Sequence, residues 1–157
     1  IEVGNIFNLG TRFSEPLGLT YTDEKGDRKP VVMGSYGIGP TRLMGVIVEV
    51  LSDEKGIVWP ESIAPYRYHL LNLLPGDEAT TAFADDLYAK MGEKGMTALY
   101  DDRDARAGEK FADSDLMGMP WRVTVGKESA ATGQVELVSR ETGERRKIKR
   151  EELLASA

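Results

Sequence analysis

"MTALYDDRDARAGEKFADSDLMGMPWRVTVG", residues 96–126, decides the fold. Residues 96–100 are a short apolar run of strand type. A charged loop follows from Asp101, then a helix-length stretch that ends in "MGMP". "WRVTVG" (121–126) is a second strand. Working outward, "YRYHLLNLL" (66–74) is a third strand, and "GDEATTAFADDLYAKMGEKG" (76–95) is a helix. Phe83, Leu87 and Met91 fall on one side of that helix, and Gly95 follows its end. Strand–helix–strand–helix–strand implies right-handed crossovers and a largely parallel sheet. Downstream, "QVELVSRETGERRKIKR" (134–150) predicts a hairpin with "ETGE" at its tip, and "EELLASA" a final helical tail.

The first half is built differently. "EVGNIFN" (2–8) predicts a strand interrupted by Gly4. "LGTRFSEPLG" (9–18) predicts a turn with a short helical piece, and "LTYTDEKGDRKPVVMGSYG" a strand, a turn and a strand. "GSYGIGPTRLMG" (34–45) then runs from a glycine turn into a helix. Pro40 suits a first helical turn, where no N–H is required. Leu43, Val46, Ile47 and Val50 recur at helical spacing and predict one buried face. "SDEKG" ends the helix, and the proline-punctuated "IVWPESIAP" connects to the second half. The expected domains are 1–65 and 66–157. The chain opens on Ile1 inside a strand-like segment, as a piece of something longer would.

With 157 residues and 41% hydrophobic content, the chain can bury a real core. It has no cysteine and one histidine, which excludes disulfides and thiolate or histidine-cluster metal sites. His69, in the apolar "YRYHLLNLL", reads as a strand histidine. No run is long and apolar enough to span a bilayer. These features fit a soluble, cytoplasmic protein. The formal net charge of −6 divides evenly, with 6 basic and 9 acidic residues in 1–65 and 14 and 17 in 66–157. Any nucleic-acid contact must therefore come from a local patch.

Three clusters could carry chemistry. Arg42 sits in the first turn of a helix, where the partial positive charge disfavours a cation. Gly37 and Gly39 let backbone approach a ligand, so the helix N–H groups and Arg42 together could hold a phosphate. No Gly-Lys-Ser/Thr follows, so this is not a P-loop, and Arg42 stands where a dinucleotide fingerprint has its third glycine. A tight turn with a solvated arginine fits the same spacing. The second cluster is "YDDRDARAGEKF" (100–111), at the carboxyl edge of the expected sheet, where ligands of open α/β folds bind. Its mixed charges could read base edges, or form a solvated, salt-bridged loop. Phe111 reads as core. The third is "RETGERRKIKR", where Arg140, Arg145, Arg146, Lys147, Lys149 and Arg150 face only Glu141 and Glu144. It could grip RNA backbone, or be an exposed hairpin made soluble by charge.

A strand ending in Gly-x-Gly-x-x-Arg, followed by an amphipathic helix, resembles motif 3 of class II aminoacyl-tRNA synthetases. "EVGNIFNLGTRFSEPLG", "MGSYGIGPTRLMGVIVE", "GIVWPESIAPY" and "LYDDRDARAGEKFADSDLMGMPWRVTVG" occur in this order and together resemble the bacterial-type prolyl-tRNA synthetases. The resemblance covers nearly the whole chain. It implies an α+β architecture: the end of an antiparallel catalytic sheet, then an α/β anticodon-binding domain with a mixed sheet. It also implies activation of proline by ATP and Mg2+, transfer to tRNA(Pro), and a homodimeric full-length enzyme with no membrane partner.

By that resemblance Arg42 is the catalytic arginine against ATP. Glu2, Asn5, Gly37 and Gly39 join it in ATP binding, with Glu2 the candidate to reach Mg2+. Phe7, Ser35 and Gly37 line the proline pocket, and Asp101, Arg103 and Lys110 read the anticodon. The chain departs from the family pattern at Asn5 (usually His), Asn8 (Gln), Ser35 (Cys) and Pro40 (Val). Motifs 1 and 2 and the upstream proline loop are not in the sequence, so the piece is expected to be inactive alone. Two rival readings stand beside this one: a non-catalytic nucleic-acid-binding protein of synthetase descent, and an α/β interaction domain that binds no RNA.

Overall fold

The computed structural model describes residues 2–156. Its contacts divide the chain into two units, Ile1–Glu49 and Val50–Ala157.

The first unit is two antiparallel ribbons and the start of a helix. Strand β1 (Gly4–Gly10) pairs with β4 (Met33–Ile38), and β2 (Thr20–Thr22) with β3 (Arg28–Pro30). The turn between β2 and β3 is closed by Asp23, whose carboxylate accepts the N–H groups of Lys25 and Asp27. This is the local capture of backbone that makes aspartate a turn residue. Residues 11–18 form turns only, without the expected helical piece. Helix α1 (Pro40–Leu51) begins at the expected proline. It has no buried residue, and Val50, expected on its buried face, is 70% exposed. The ribbons are too small to cover a helix stripe, so Leu43, Val46 and Ile47 are only partly covered.

The second unit is a five-stranded mixed sheet in the order β6-β5-β7-β8-β9. Strands β5 (Tyr68–Asn72), β6 (Ala98–Asp101) and β7 (Trp121–Val125) are parallel. Strands β8 (Gln134–Ser139) and β9 (Arg145–Lys149) continue antiparallel through the hairpin. Helices α2 (Glu78–Glu93) and α3 (Ala107–Met117) are the crossovers. A short helix α4 (Lys127–Thr132), unassigned from sequence, precedes β8, and α5 (Arg150–Ala155) closes the chain. The mixed α/β architecture is the one expected.

Strand alternation gives the sheet two unlike faces. One carries Tyr68, Leu70, Val123, Val125, Val135 and Leu137 against Leu87 and Met91 of α2 and Leu153 of α5, and forms the core. Full burial of each large aliphatic side chain contributes about 2 kcal/mol. The opposite face carries His69, Leu71, Arg122, Thr124 and Val138 and lies toward α3. There Arg122 stacks on Phe111 and bonds Asp115.

The stretch ahead of Pro65 is bonded to this second unit. Ile57 N donates to Leu116 O at 3.1 Å, Trp59 N to Gly118 O at 3.1 Å, and Trp59 Nε1 to Met117 O at 3.1 Å. Gly118 ends α3 at φ 73°, and a Cβ there would overlap the Ile57 carbonyl. Only glycine meets both demands at once.

Candidate functional site

In the first unit, β1–β4 pairing sets Asn5 opposite Gly37 and Phe7 opposite Ser35. With a side-chain period of two, these four residues share one face of the ribbon. They line a concavity of about 290 Å³ with Val3, Gly39 and Arg42. A Cβ on Gly37 would meet no atom within 4 Å, so its bare backbone leaves floor space there. Phe7 is 53% exposed, which removes it from any core of this unit.

The α1 N-terminus lies at one end of this concavity, with Leu43 N donating to Gly39 O at 2.9 Å. Arg42 projects from its first turn and donates to the backbone O of Glu2 at 3.3 Å. The Glu2 side chain is exposed. Among the described residues no three His, Cys, Asp or Glu side chains converge, so Glu2 offers a single carboxylate. One carboxylate beside phosphates is a usual magnesium ligand set.

In the second unit, the charged loop after β6 is internally consumed. Asp101 is 4% exposed. Its carboxylate accepts Arg103 Nε at 3.0 Å, Arg103 NH2 at 2.8 Å and Arg103 N at 3.1 Å. Those bonds, foremost the guanidinium fork, hold the Asp101 carboxyl below the usual aspartate range. Arg103 NH2 also reaches Asp113 at 2.7 Å, and its side chain remains half exposed. Lys110 is turned the other way. It is 0% exposed, and its Nζ donates to Asn72 O at 2.6 Å and to Asp101 O at 3.3 Å. It ties together the carboxyl ends of β5 and β6. The helical position decides this: Lys110 and Ser114, four residues apart, are the two buried residues of α3.

The pleat also divides the basic hairpin. Pairing with β8 puts Arg145 opposite Val138 and Lys147 opposite Glu136, on the α3 face. Arg146 falls on the core face and stacks over Trp121, 5.5 Å from the ring centroid. Arg140 is locked onto Asp53. The run is therefore not one positive patch.

What the sheet assembles instead is a groove on its α3 face, beside β8 and β9. A hollow of about 440 Å³ is lined by Phe111, Thr124, Lys127, Gln134, Glu136 and Lys147, among others. A smaller one, of about 130 Å³, adjoins it with Asp115, Arg122 and Lys55. Arg145 borders both. Arg122 NH1 donates to Asp115 Oδ1 at 2.7 Å, and its guanidinium lies 4.9 Å from the Phe111 ring centroid. Arg122 Nε and Thr124 Oγ1, two positions apart on β7, are buried without a hydrogen-bond partner. An unpaired buried polar atom costs about 1–3 kcal/mol. Both atoms are closed to solvent, beneath the surface of the groove, with the Arg122 guanidinium covered by the Phe111 ring. Sequence reasoning assigned Phe111 to the core and passed over Arg122, Thr124 and Asp115. The available signal was two polar residues on the same face of the central strand "WRVTV".

Residues 64–156 match the family model described as "Anticodon binding domain". Residues 1–51 match "tRNA synthetase class II core domain (G, H, P, S and T)". A proline–tRNA ligase of Hyphomonas neptunium is 49% identical over 155 residues, 99% of this chain and 35% of the relative. One from Cereibacter sphaeroides is 51% identical over 92% of this chain and 32% of the relative. The chain thus spans about a third of the length of the curated relatives it matches. The crystal structure of a Cryptosporidium parvum prolyl-tRNA synthetase complexed with L-proline and AMP matches with TM-score 0.90 and 25% identity, over 99% of this chain and 33% of that one. The chain belongs to the anticodon binding domain family, preceded here by a segment of the class II tRNA synthetase core.

Proposed function

We propose that the chain is the C-terminal part of a proline–tRNA ligase, supplying the ATP-facing arginine and the reader of the tRNA(Pro) anticodon. The observation that carries the reading is the α3-face groove, where Phe111, Lys127, Arg145 and Lys147 line one hollow and Asp115, Arg122 and Arg145 the adjoining one. Single-stranded RNA bases splayed from a loop are recognised by stacking on aromatic or guanidinium planes and by hydrogen bonds to their edges. Arg122 offers donors to a guanine edge, Asp115 an acceptor, and Phe111 a stacking surface. Lys127, Arg145 and Lys147 stand at the rim for phosphates, at an affinity that falls with salt.

Asp101, Arg103 and Lys110 then serve unequally. Lys110 and Asp101 hold the carboxyl edge together, and the half-exposed Arg103 is a phosphate contact at the loop. The test is binding of a proline anticodon stem-loop against one with altered bases.

In the first unit, Arg42 and the α1 N-terminus support an anion subsite for ATP. Arg42 would stabilise charge as it moves onto the leaving pyrophosphate while proline is activated. Asn5 and the open backbone at Gly37 and Gly39 would border the nucleotide, and Glu2 would reach its magnesium. Phe7, Ser35 and Gly37 share the face that would hold a pyrrolidine ring. Bound magnesium would supply charge neutralisation on the phosphates. The full-length ligase is proposed to act in the cytoplasm as a homodimer. In the described residues no helix is long and apolar enough to cross a membrane.

A further inference from the structure

Arg140 is 7% exposed on its side chain although it begins the most basic run of the chain. Its NH1 and NH2 grip Asp53 at 2.7 and 2.6 Å, a fork on both carboxylate oxygens. Its Nε donates to the backbone O of Asp115 at 3.0 Å, in the last turn of α3. A cation there satisfies a helix-end carbonyl and complements the negative end of the helix. Asp115 in turn holds Arg122 NH1 at 2.7 Å.

The other end of the fork is equally well held. Asp53 also accepts the N–H groups of Lys55 at 2.8 Å and Gly56 at 3.1 Å. The Arg140 hydrogen bonds, ahead of these, keep its carboxyl far below the aspartate range. The segment it starts lies along the end of α3, through Ile57 N to Leu116 O and Trp59 N to Gly118 O. Gly56, at φ 145°, has no room for a Cβ against Leu116. The carboxyl end of α3, which carries Asp115, thus lies against the 53–59 segment, and the Arg140 side chain bonds both.

We propose that Arg140 is a positioning residue for anticodon reading. Clamped on Asp53, it sets the last turn of α3 so that Asp115 aims the Arg122 guanidinium into the groove. The proposal rests on the groove being the anticodon site. Neither Arg140 nor Asp53 contacts RNA in it; both act through Asp115 and Arg122.

The test uses the full-length ligase with cognate tRNA and with tRNA changed at the second and third anticodon bases. Arg140→Gln and Asp53→Asn are compared with Arg122→Lys. Arg140→Gln and Asp53→Asn are each expected to raise KM for cognate tRNA about tenfold, with kcat and proline-dependent ATP–pyrophosphate exchange within twofold. The preference for the cognate anticodon should fall alongside. Loss of a charge-assisted fork that positions another group supports an effect of that order. The double variant should be no worse than either single one, because both break the same clamp. Asp53 is half exposed, so its variant reports even where Arg140→Gln fails to fold. If Arg122→Lys lowers the preference while Asp53→Asn leaves it unchanged, or affects both tRNAs equally, the clamp has no positioning role. If Arg122→Lys keeps full preference, the groove reading itself falls, and this proposal with it.

Discussion

Lys110 Nζ lies 2.6 Å from the carbonyl of Asn72, inside a side chain that is 0% exposed. A charged group so placed is paired or it is not tolerated. Its second carbonyl, Asp101 O, and the Asp101 carboxylate at 3.6 Å complete the set. Lys110→Met keeps the stem's volume but leaves two buried carbonyls without their donor, while Asp101 keeps Arg103. The expected cost is about 1–3 kcal/mol for each carbonyl left unsatisfied, read as a lower denaturation midpoint in urea. A Lys110 whose replacement costs nothing in stability but abolishes RNA binding would return it to the ligand-facing role that the sequence suggested.

His69 gives a pH signature. It is 1% exposed with Nδ1 unpartnered, and burial, the largest cause, lowers its pKa from 6.5 to about 4. Asp101 nearby opposes the shift, while Arg103 and Arg122 add to it. The folded state therefore binds its proton less readily than the unfolded chain. Stability is complete above about pH 6.5 and falls as the pH drops toward 4, by about 3 kcal/mol in all. Asp101, with a lowered pKa, keeps its contribution throughout that window and loses it only below about pH 4. Urea unfolding at pH 7, 6 and 5 should show the slope, and His69→Leu should flatten it.

Arg42→Ala in the full-length ligase should cut proline-dependent ATP–pyrophosphate exchange at least a hundredfold, the scale for losing a group aimed at developing charge. Affinity for tRNA(Pro) should stay within twofold. Normal exchange would leave Arg42 as a solvated turn residue bonded to Glu2.

Phe111→Ala should weaken stem-loop binding about tenfold or more, since one stacked base is worth about 1–3 kcal/mol. Part of any change will come from lost packing under Arg122, so stability is measured alongside. Phe111→Tyr, which keeps the ring, should bind nearly normally.

The order of elements was legible from the chain because each carries its own period and its own stop: Gly95 after α2, Gly118 after α3, Pro40 at the start of α1. The helix start at Pro40 also followed, but the expected turn at Gly37–Gly39 is strand as far as Ile38, and the shared face of Asn5, Phe7, Ser35 and Gly37 depends on the β1–β4 register, which no local rule supplies. Helix α4 was too short, at six residues, to show a period. The direction of Lys110 was hidden because α3 buries a polar stripe, Lys110 and Ser114, where a hydrophobic stripe would have shown. The groove escaped for a different reason. It is assembled from Phe111 and Asp115 on α3, Thr124 and Arg122 on β7 and Arg145 on β9, which only the sheet order β5-β7-β8-β9 brings together. The basic run 140–150 looked continuous in sequence, but the pleat sends its members to opposite faces.

The most direct measurement is a titration of the 157-residue chain, at one fixed moderate salt concentration, with two anticodon stem-loops. One carries the proline anticodon and the other has its second and third anticodon bases changed. The groove on the α3 face predicts tight binding of the first and at least a tenfold loss for the second. Equal affinity for both would contradict it, leaving a surface that grips phosphates without reading bases.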